Sequence, residues 1–287
     1  MSAMKYAVFT VMMPDCSLDT TIEKLQQYGY DGVEWRFTKS DPARAEDAPS
    51  FWGNNLSTVE ADATEAELLL LKEKTVAAGL QVPNIGAYIA CGDKQATETA
   101  MKAASVLGAP SIRVGVPMYN RTRPYQELLL EGRAYLEQVQ ELGAEYGVMG
   151  LIEVHHGNIA CSASLARRLV EGFDPARIGI IYDPGNMVHE GFENYRMGLE
   201  VMGEYLTHVH IKNARWQRKE GEASAAEGPL WQAVWSPLQD GVVHWPQVIA
   251  DLKAIGYDRW LTFEDFSGSA PTDTLLRDNL AYVRSLF

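Results

Sequence analysis

Four short segments in the second half of the chain carry acids and imidazoles at a spacing that could do chemistry. They are LIEVHHG (Leu151–Gly157), IGIIYDPGN (Ile178–Asn186), HVHIKN (His208–Asn213) and WLTFEDF (Trp260–Phe266). Each alternates apolar and polar residues with the period of two that a β-strand imposes on its side chains. With Ile152 and Val154 turned to one face, Glu153 and His155 share the other. His208, His210 and Lys212 form a column opposite Val209 and Ile211, and Thr262 and Glu264 sit opposite Leu261 and Phe263, while the second segment ends on Asp183. Taken singly, a glutamate at a strand end also suits a cap or salt bridge, Asp-Pro-Gly-Asn is a good turn, and the histidines suit a satisfied core. Taken together, carboxylates converging from consecutive strands repel and raise one another's pKa unless a cation neutralises them. The pattern therefore predicts a divalent metal ion held by the carboxylates Glu153, Asp183 and Glu264 with an imidazole from the His208–His210 column. Three carboxylates and one imidazole rank Mn²⁺ first, with Mg²⁺, Co²⁺ and Zn²⁺ as alternatives.

Those strands must be aligned by something, and the chain repeats a unit able to do it: an amphipathic helix, a glycine turn, then a short apolar run. LQQYGYDGVEW from Leu25 and LKAIGYDRWLTF from Leu252 share Leu, Gly, Tyr and Asp at the same offsets, and looser copies turn at Gly79, Gly108 and Gly147. Alternating β and α elements imply parallel strands with helical crossovers. Eight strands are expected, centred near Val8, Val33, Pro83, Ile112, Ile152, Ile180, Val209 and Thr262. No glycine-rich phosphate loop follows the first strand, which reads VMMPDCSLD, so a closed barrel is preferred to an open doubly wound sheet. The expected fold is α/β, a single (β/α)8 TIM barrel spanning residues 1–287 without a linker. Two long connections, Thr38–Ala63 and Asn213–Val243, lie after strands and so at the mouth where barrels build their sites.

A composition of 46% hydrophobic and 22% charged residues is that of a folded globular chain. The net charge of -13 opposes phosphate backbones, and the densest basic stretches, Arg167-Arg168 and Arg215–Lys219, read as solvated faces, so no nucleic acid partner is expected. Cys16, Cys91 and Cys161 form no CxxC pair and fit a reducing cytosol. The apolar run at the N-terminus is too short for a signal peptide and no segment is apolar enough to span a bilayer, so a cytoplasmic location without membrane contact is expected.

The motifs ExHxG (Glu153, His155, Gly157), YDPGN, HVHIKN and FEDF, with the GYDGVE run at Gly29–Glu34, resemble the xylose-isomerase-like TIM-barrel superfamily of sugar isomerases and epimerases. That group also contains endonuclease IV, an apurinic-site endonuclease. The resemblance covers essentially the whole chain. It implies that Glu153, Asp183, His210 and Glu264 bind one metal, that Glu153 and Glu264 double as the acid/base pair, and that Lys212 faces substrate. Asn186 stands where relatives often carry a histidine, and no histidine lies between Asn213 and Val243, which removes the ligands of a trinuclear phosphodiesterase site. The leading expectation is an isomerase or epimerase that moves a proton next to a carbonyl through an ene-diolate on the metal. The alternative is a dehydratase or lyase acting on a keto-sugar or keto-glycoside, and behind it a non-catalytic sugar-binding barrel. His155, Asn186, Lys212 and Arg215 are expected to bind a small sugar-like substrate, with His155 also a candidate base. Trp216, Trp231 and Trp235 suit either an apolar wall or loop packing, and the apolar stretch around Trp231 and Trp235 also suits a homodimer contact.

Overall fold

Strands alternating with amphipathic helices close a barrel when each crossover returns the chain beside the strand it left. In a computed structural model describing residues 4–219, 228 and 230–287, the strands are β1 (Lys5–Phe9), β2 (Gly32–Thr38), β3 (Thr58–Glu60), β4 (Ile85–Ala87), β5 (Ser111–Arg113), β6 (Met149–Glu153), β7 (Ile178–Tyr182), β8 (Leu206–Ile211), β9 (Asn213–Arg218), β10 (Trp231–Ser236) and β11 (Trp260–Phe263). Parallel pairing runs β1-β11-β8-β7-β6-β5-β4-β2 and closes through β1 with β2, which gives the eight-stranded barrel. Helices α1 (Leu18–Tyr28), α2 (Glu65–Ala77), α3 (Lys94–Leu107), α4 (Tyr125–Tyr146), α5 (Ala163–Val170), α6 (Pro184–Met187), α7 (Tyr195–Met202), α8 (Trp245–Ala254) and α9 (Thr272–Arg284) occupy the intervening crossovers. No helix among the described residues is long and apolar enough to cross a membrane.

The repeat unit performs the expected work. Gly29, Gly108 and Gly147 follow α1, α3 and α4 with φ of +80°, +79° and +68°, left-handed positions that end each helix and aim the chain at the next strand. Their apolar faces and the outward residues of the strands form one continuous core.

Three features differ from the sequence reading. The third barrel strand begins at Ile85, later than its expected centre at Pro83. Gln81 makes only an isolated bridge to Gly32, and Pro83 has no N–H to continue a ladder. Within the long connection after β2, strand β3 pairs with Arg36–Thr38, beyond the stretch Gly32–Glu34 that pairs with β1. The connection after β8 contains an antiparallel hairpin of β9 and β10, with Ala214 opposite Trp235 and Arg218 opposite Trp231. Its central residues 220–227 and 229 lie outside the described residues. The hairpin base is pinned by buried Asn213, whose side chain accepts from the N–H of Val243 and donates to the carbonyls of Leu238 and Val243.

Candidate metal centre and active site

Strands β6, β7, β8 and β11 end at one point of the barrel mouth. Glu153 closes β6, Asp183 follows β7, His210 lies near the end of β8 and Glu264 follows β11. All four are buried, and each offers a ligand atom within 4.8 Å of the others. The Nδ1 of His210 lies 3.2 Å from Glu153 Oε1, 3.6 Å from Glu264 Oε2 and 3.8 Å from Asp183 Oδ2. The Asp-Pro-Gly-Asn segment is a turn as well as a ligand carrier. Asp183 caps the single turn of α6 by accepting the Asn186 N–H through Oδ1 at 2.9 Å, which leaves Oδ2 for the centre.

The opposite strands grip this cluster from below. Glu34 of β2 is wholly buried and lies 3.3 Å from the Nε2 of His210 through either oxygen, 2.9 Å from the Nε2 of His208, and 2.9 Å from the amide of Asn84. Asn84 accepts in turn from Ser111. A carboxylate at Nε2 places the imidazole proton there and turns the Nδ1 lone pair toward the carboxylates, the arrangement a metal-binding histidine needs. Arg113 of β5 donates to Glu153 Oε2 at 2.7 Å while its guanidinium stacks between the rings of Phe9 and Tyr88. Phe9 reaches this position because residue 86 is glycine; a methyl there would overlap the ring. Gly185 serves the same purpose for Lys212, whose stem passes where a Cβ would stand.

Charge explains why a cation fits. Four carboxylates, Glu34, Glu153, Asp183 and Glu264, face two fixed cations, Arg113 and Lys212. The Nζ of Lys212 is 2.9 Å from Asp183 Oδ2 and also hydrogen-bonds Glu264. Burial opposes ionisation of Glu153, but Arg113 and then His210 outweigh it and hold the carboxyl below its usual range. Lys212 and His210 do the same for Glu264 against its own burial. Asp183 is pushed up to about 7 by burial and by the Glu153 and Glu264 charges, Lys212 notwithstanding. Burial would lower His210, yet Glu34, Glu153 and Glu264 raise it. Protons on His210 and Asp183 thus offset the carboxylate charge where a divalent cation could take their place, and three carboxylates with one imidazole are a donor set suited to a hard or borderline ion.

The centre opens into a cleft of about 500 Å³ lined by Glu153, His155, Lys212 and Glu264 at its polar end. His155 stacks on His156 with ring centroids 4.3 Å apart, and His156 on His189 at 4.1 Å, a column capped by Trp235. Burial lowers the pKa of His155, and of His156 and His189 to about 4 each, so near neutral pH the column is uncharged.

Two of the four expected substrate-binding residues lie elsewhere. Asn186 is wholly buried behind the carboxylates. Its amide donates to Glu153, Asp183 and the Val154 carbonyl, and its oxygen faces His156 Nδ1 at 3.1 Å, so it orients ligands and does not border the cleft. Arg215 is on the outer part of β9, paired with Asp240, because the hairpin turns it away from the cleft. Trp235 lines the cleft, whereas Trp216 and Trp231 are exposed. Glu34 and Arg113 were not singled out from sequence as site residues. Their signal was present: each is a charged side chain next to apolar neighbours, Glu34 between Val33 and Trp35 and Arg113 between Ile112 and Val114, at the alternation phase that faces the barrel interior.

The profile of the xylose isomerase-like TIM barrel family matches residues 22–286. Among curated proteins, the chain is 26% identical over 158 residues to an inosose dehydratase of Geobacillus thermodenitrificans, covering 52% of this chain and 51% of that protein. It is 28% identical over 142 residues to a rhizopine catabolism protein of Rhizobium meliloti, covering 47% and 42%. The chain spans about half the length of the curated relatives it matches. Among solved structures, the IOLI protein with a binding zinc atom superposes with a TM-score of 0.74 at 15% identity over 99% of both chains. The 3-keto-D-glucoside 4-epimerase of E. coli does so with 0.70 at 16% identity, covering 98% of this chain and 99% of that one. At such identities the structural likeness is one of fold. With the profile match extending over nearly its full length, the chain belongs to the xylose isomerase-like TIM barrel family.

Proposed function

We propose that this chain is a divalent-metal-dependent sugar isomerase or epimerase that moves a proton next to the carbonyl of a polyhydroxylated substrate. The observation that carries the reading is the convergence of Glu153 and Glu264 on His210 at the floor of an open cleft. Glu153, Asp183, His210 and Glu264 would hold the ion, with Mn²⁺ the first choice by donor type. When bound, such an ion supplies Lewis acidity that polarises a carbonyl and offsets negative charge developing on its oxygen.

The side chains divide the remaining work. Both oxygens of Glu153 are engaged, Oε2 by Arg113 and Oε1 by Asn186 and His210, so this carboxylate is held ionised in one orientation. Glu264 is gripped by Lys212 and is the freer proton acceptor. It takes the proton from the carbon beside the carbonyl, giving an ene-diolate, and Lys212 then faces the negative charge that develops. Return of a proton to the neighbouring carbon or to the opposite face completes isomerisation or epimerisation. In isomerisation Glu264 can return the proton it took. For delivery at the opposite face Glu153, on the other side of the centre, would first take up a proton from solvent at the expense of one of its hydrogen bonds, and Glu264 would release one afterwards. Neutral His155 borders the cleft beside Glu153 and suits a hydrogen bond to a substrate hydroxyl.

A second reading keeps the first step and changes its outcome. Curated relatives named inosose dehydratase favour loss of water from the same ene-diolate, with the Lys212 ammonium within reach to protonate a departing hydroxyl. Incubating the metal-loaded protein with keto-sugars in deuterated water separates the two. Deuterium on a carbon of recovered or isomeric sugar supports the isomerase, and an unsaturated product with one water lost establishes the dehydratase. Neither product with any ketose, aldose or inosose would refute both.

A further inference from the structure

We infer that the substrate is a glycoside whose second part is an aromatic ring, bound in the outer half of the cleft; this rests on the keto-sugar reading above for its first part. The polar groups of the cleft are concentrated at its floor, within reach of one sugar ring. The volume of about 500 Å³ falls in the range that encloses two-ring, drug-sized ligands. Beyond the floor the wall changes character. Ile89, Val114, Val116 and Met118 line the side above β4 and β5. Facing them are Trp52, Phe266 and Trp235, with Trp52 centred 4.9 Å and Trp235 5.7 Å from the Phe266 ring.

These rings adjoin the reacting end. The Nζ of Lys212 is 5.0 Å from the Trp235 ring centre and 5.3 Å from that of Phe266. A substituent linked to a sugar held by Lys212 and Glu264 therefore enters the aromatic collar at once. The polar groups found there are few and partly engaged, His156 Nδ1 with Asn186 and Asn158 through its oxygen with the Ala160 N–H. A second hydroxylated ring would bury more hydroxyls against aliphatic and aromatic carbon than these few groups could partner, which costs free energy for each one left over. An aromatic ring has no such hydroxyls to satisfy and stacks edge-to-face or offset with Trp52, Phe266 and Trp235. Trp52 is 54% exposed and Met118 62%, a large apolar area at opposite lips of one cleft that such a ring would cover.

The test uses the full chain and unreactive probes: phenyl and methyl D-glucopyranosides, each in both anomeric forms, and cellobiose, with binding followed by tryptophan fluorescence and calorimetry. In at least one anomer the phenyl glycoside is expected to bind about tenfold or more tighter than the methyl glycoside, as burial of one ring predicts. Cellobiose is expected to bind no tighter than the methyl glycoside. Trp52→Ala, and separately Phe266→Leu, should bring the phenyl-to-methyl ratio close to one, with Trp52 the safer variant because it is half exposed. Equal affinity of the two glycosides, cellobiose matching the phenyl compound, no binding of the phenyl compound up to its solubility, or a preference untouched by both variants would overturn the proposal. Since none of these probes is turned over, the result stands or falls apart from deuterium exchange, which tests the proton-transfer reading on a keto-sugar lacking an aryl group.

Discussion

The two halves of the barrel contribute to one site in different ways. Strands β6, β7, β8 and β11 bring Glu153, Asp183, His210, Lys212 and Glu264 to the mouth, the groups proposed to bind and react. Strands β2 and β5 bring Glu34, which touches His210, and Arg113, which touches Glu153, while Ser111 of β5 holds Asn84, just before β4, and Asn84 holds Glu34. The difference teaches how a surplus of negative charge can be preorganised. The reactive half carries the excess of carboxylates, and the supporting half orients two of the candidate ligands, Glu153 through Arg113 and His210 through Glu34, before a cation arrives.

The comparison is broken most directly on the reactive side. Glu264→Gln should lower kcat by about 10²–10⁴-fold, the usual loss of a positioned acid or base, while one equivalent of metal stays bound with weakened affinity. Turnover that survives this change would move the base elsewhere. On the supporting side the predicted effect is smaller and of another kind. Glu34→Gln should weaken metal affinity by about 10- to 100-fold through the freed imidazole of His210, measured by competition with a chelator of known strength. Affinity unchanged from that of the parent protein would show that β2 only fills space. Gly86→Ala probes the packing beneath both halves. Pushing the Phe9 ring aside should lower the urea midpoint by an amount equivalent to about 1–3 kcal/mol, read by fluorescence with metal removed.

The smallest effect concerns the histidine column. His156 and His189 have folded pKa values of about 4, below the unfolded value near 6.5, so between these limits the unfolded chain binds more protons than the native one. The associated stability is complete above about pH 6.5 and is lost as pH falls toward 4. His189→Asn should therefore flatten the slope of Tm against pH within that window, in chelator, and leave it unaltered above pH 7. An identical slope for the two proteins would mean that His189 titrates freely.

The same division governs what could be read in the sequence. His210 and Glu264 belong to runs whose alternation is uninterrupted, HVHIK and WLTFE, so a period of two was enough to point them to one face, whereas Asp183 follows the apolar run IGIIY. The barrel followed from the recurring helix, glycine and strand unit, each glycine standing where φ is positive. Asn186 was harder: its position after Asp183 indicated proximity to the site, but a helical turn sends its amide behind the carboxylates. Arg215 was misplaced for want of the hairpin, since an antiparallel pair cannot be told from a loop when its connection carries no turn signal of two residues. Glu34 and Arg113 reach partners 40 to 176 residues away, and although their phase was visible, local periodicity does not name partners at that range.

The central claim is that Glu153, Asp183, His210 and Glu264 together hold one divalent ion. Calorimetric titration of the chelator-treated protein with Mn²⁺ or Zn²⁺ near pH 8 tests it, with elemental analysis of the product. One equivalent per chain is predicted, with affinity falling below about pH 7 as the proton on Asp183 must be displaced, and with Asp183→Asn abolishing tight binding. No binding, two or more tight equivalents, or an Asp183→Asn variant that binds like the parent would contradict it.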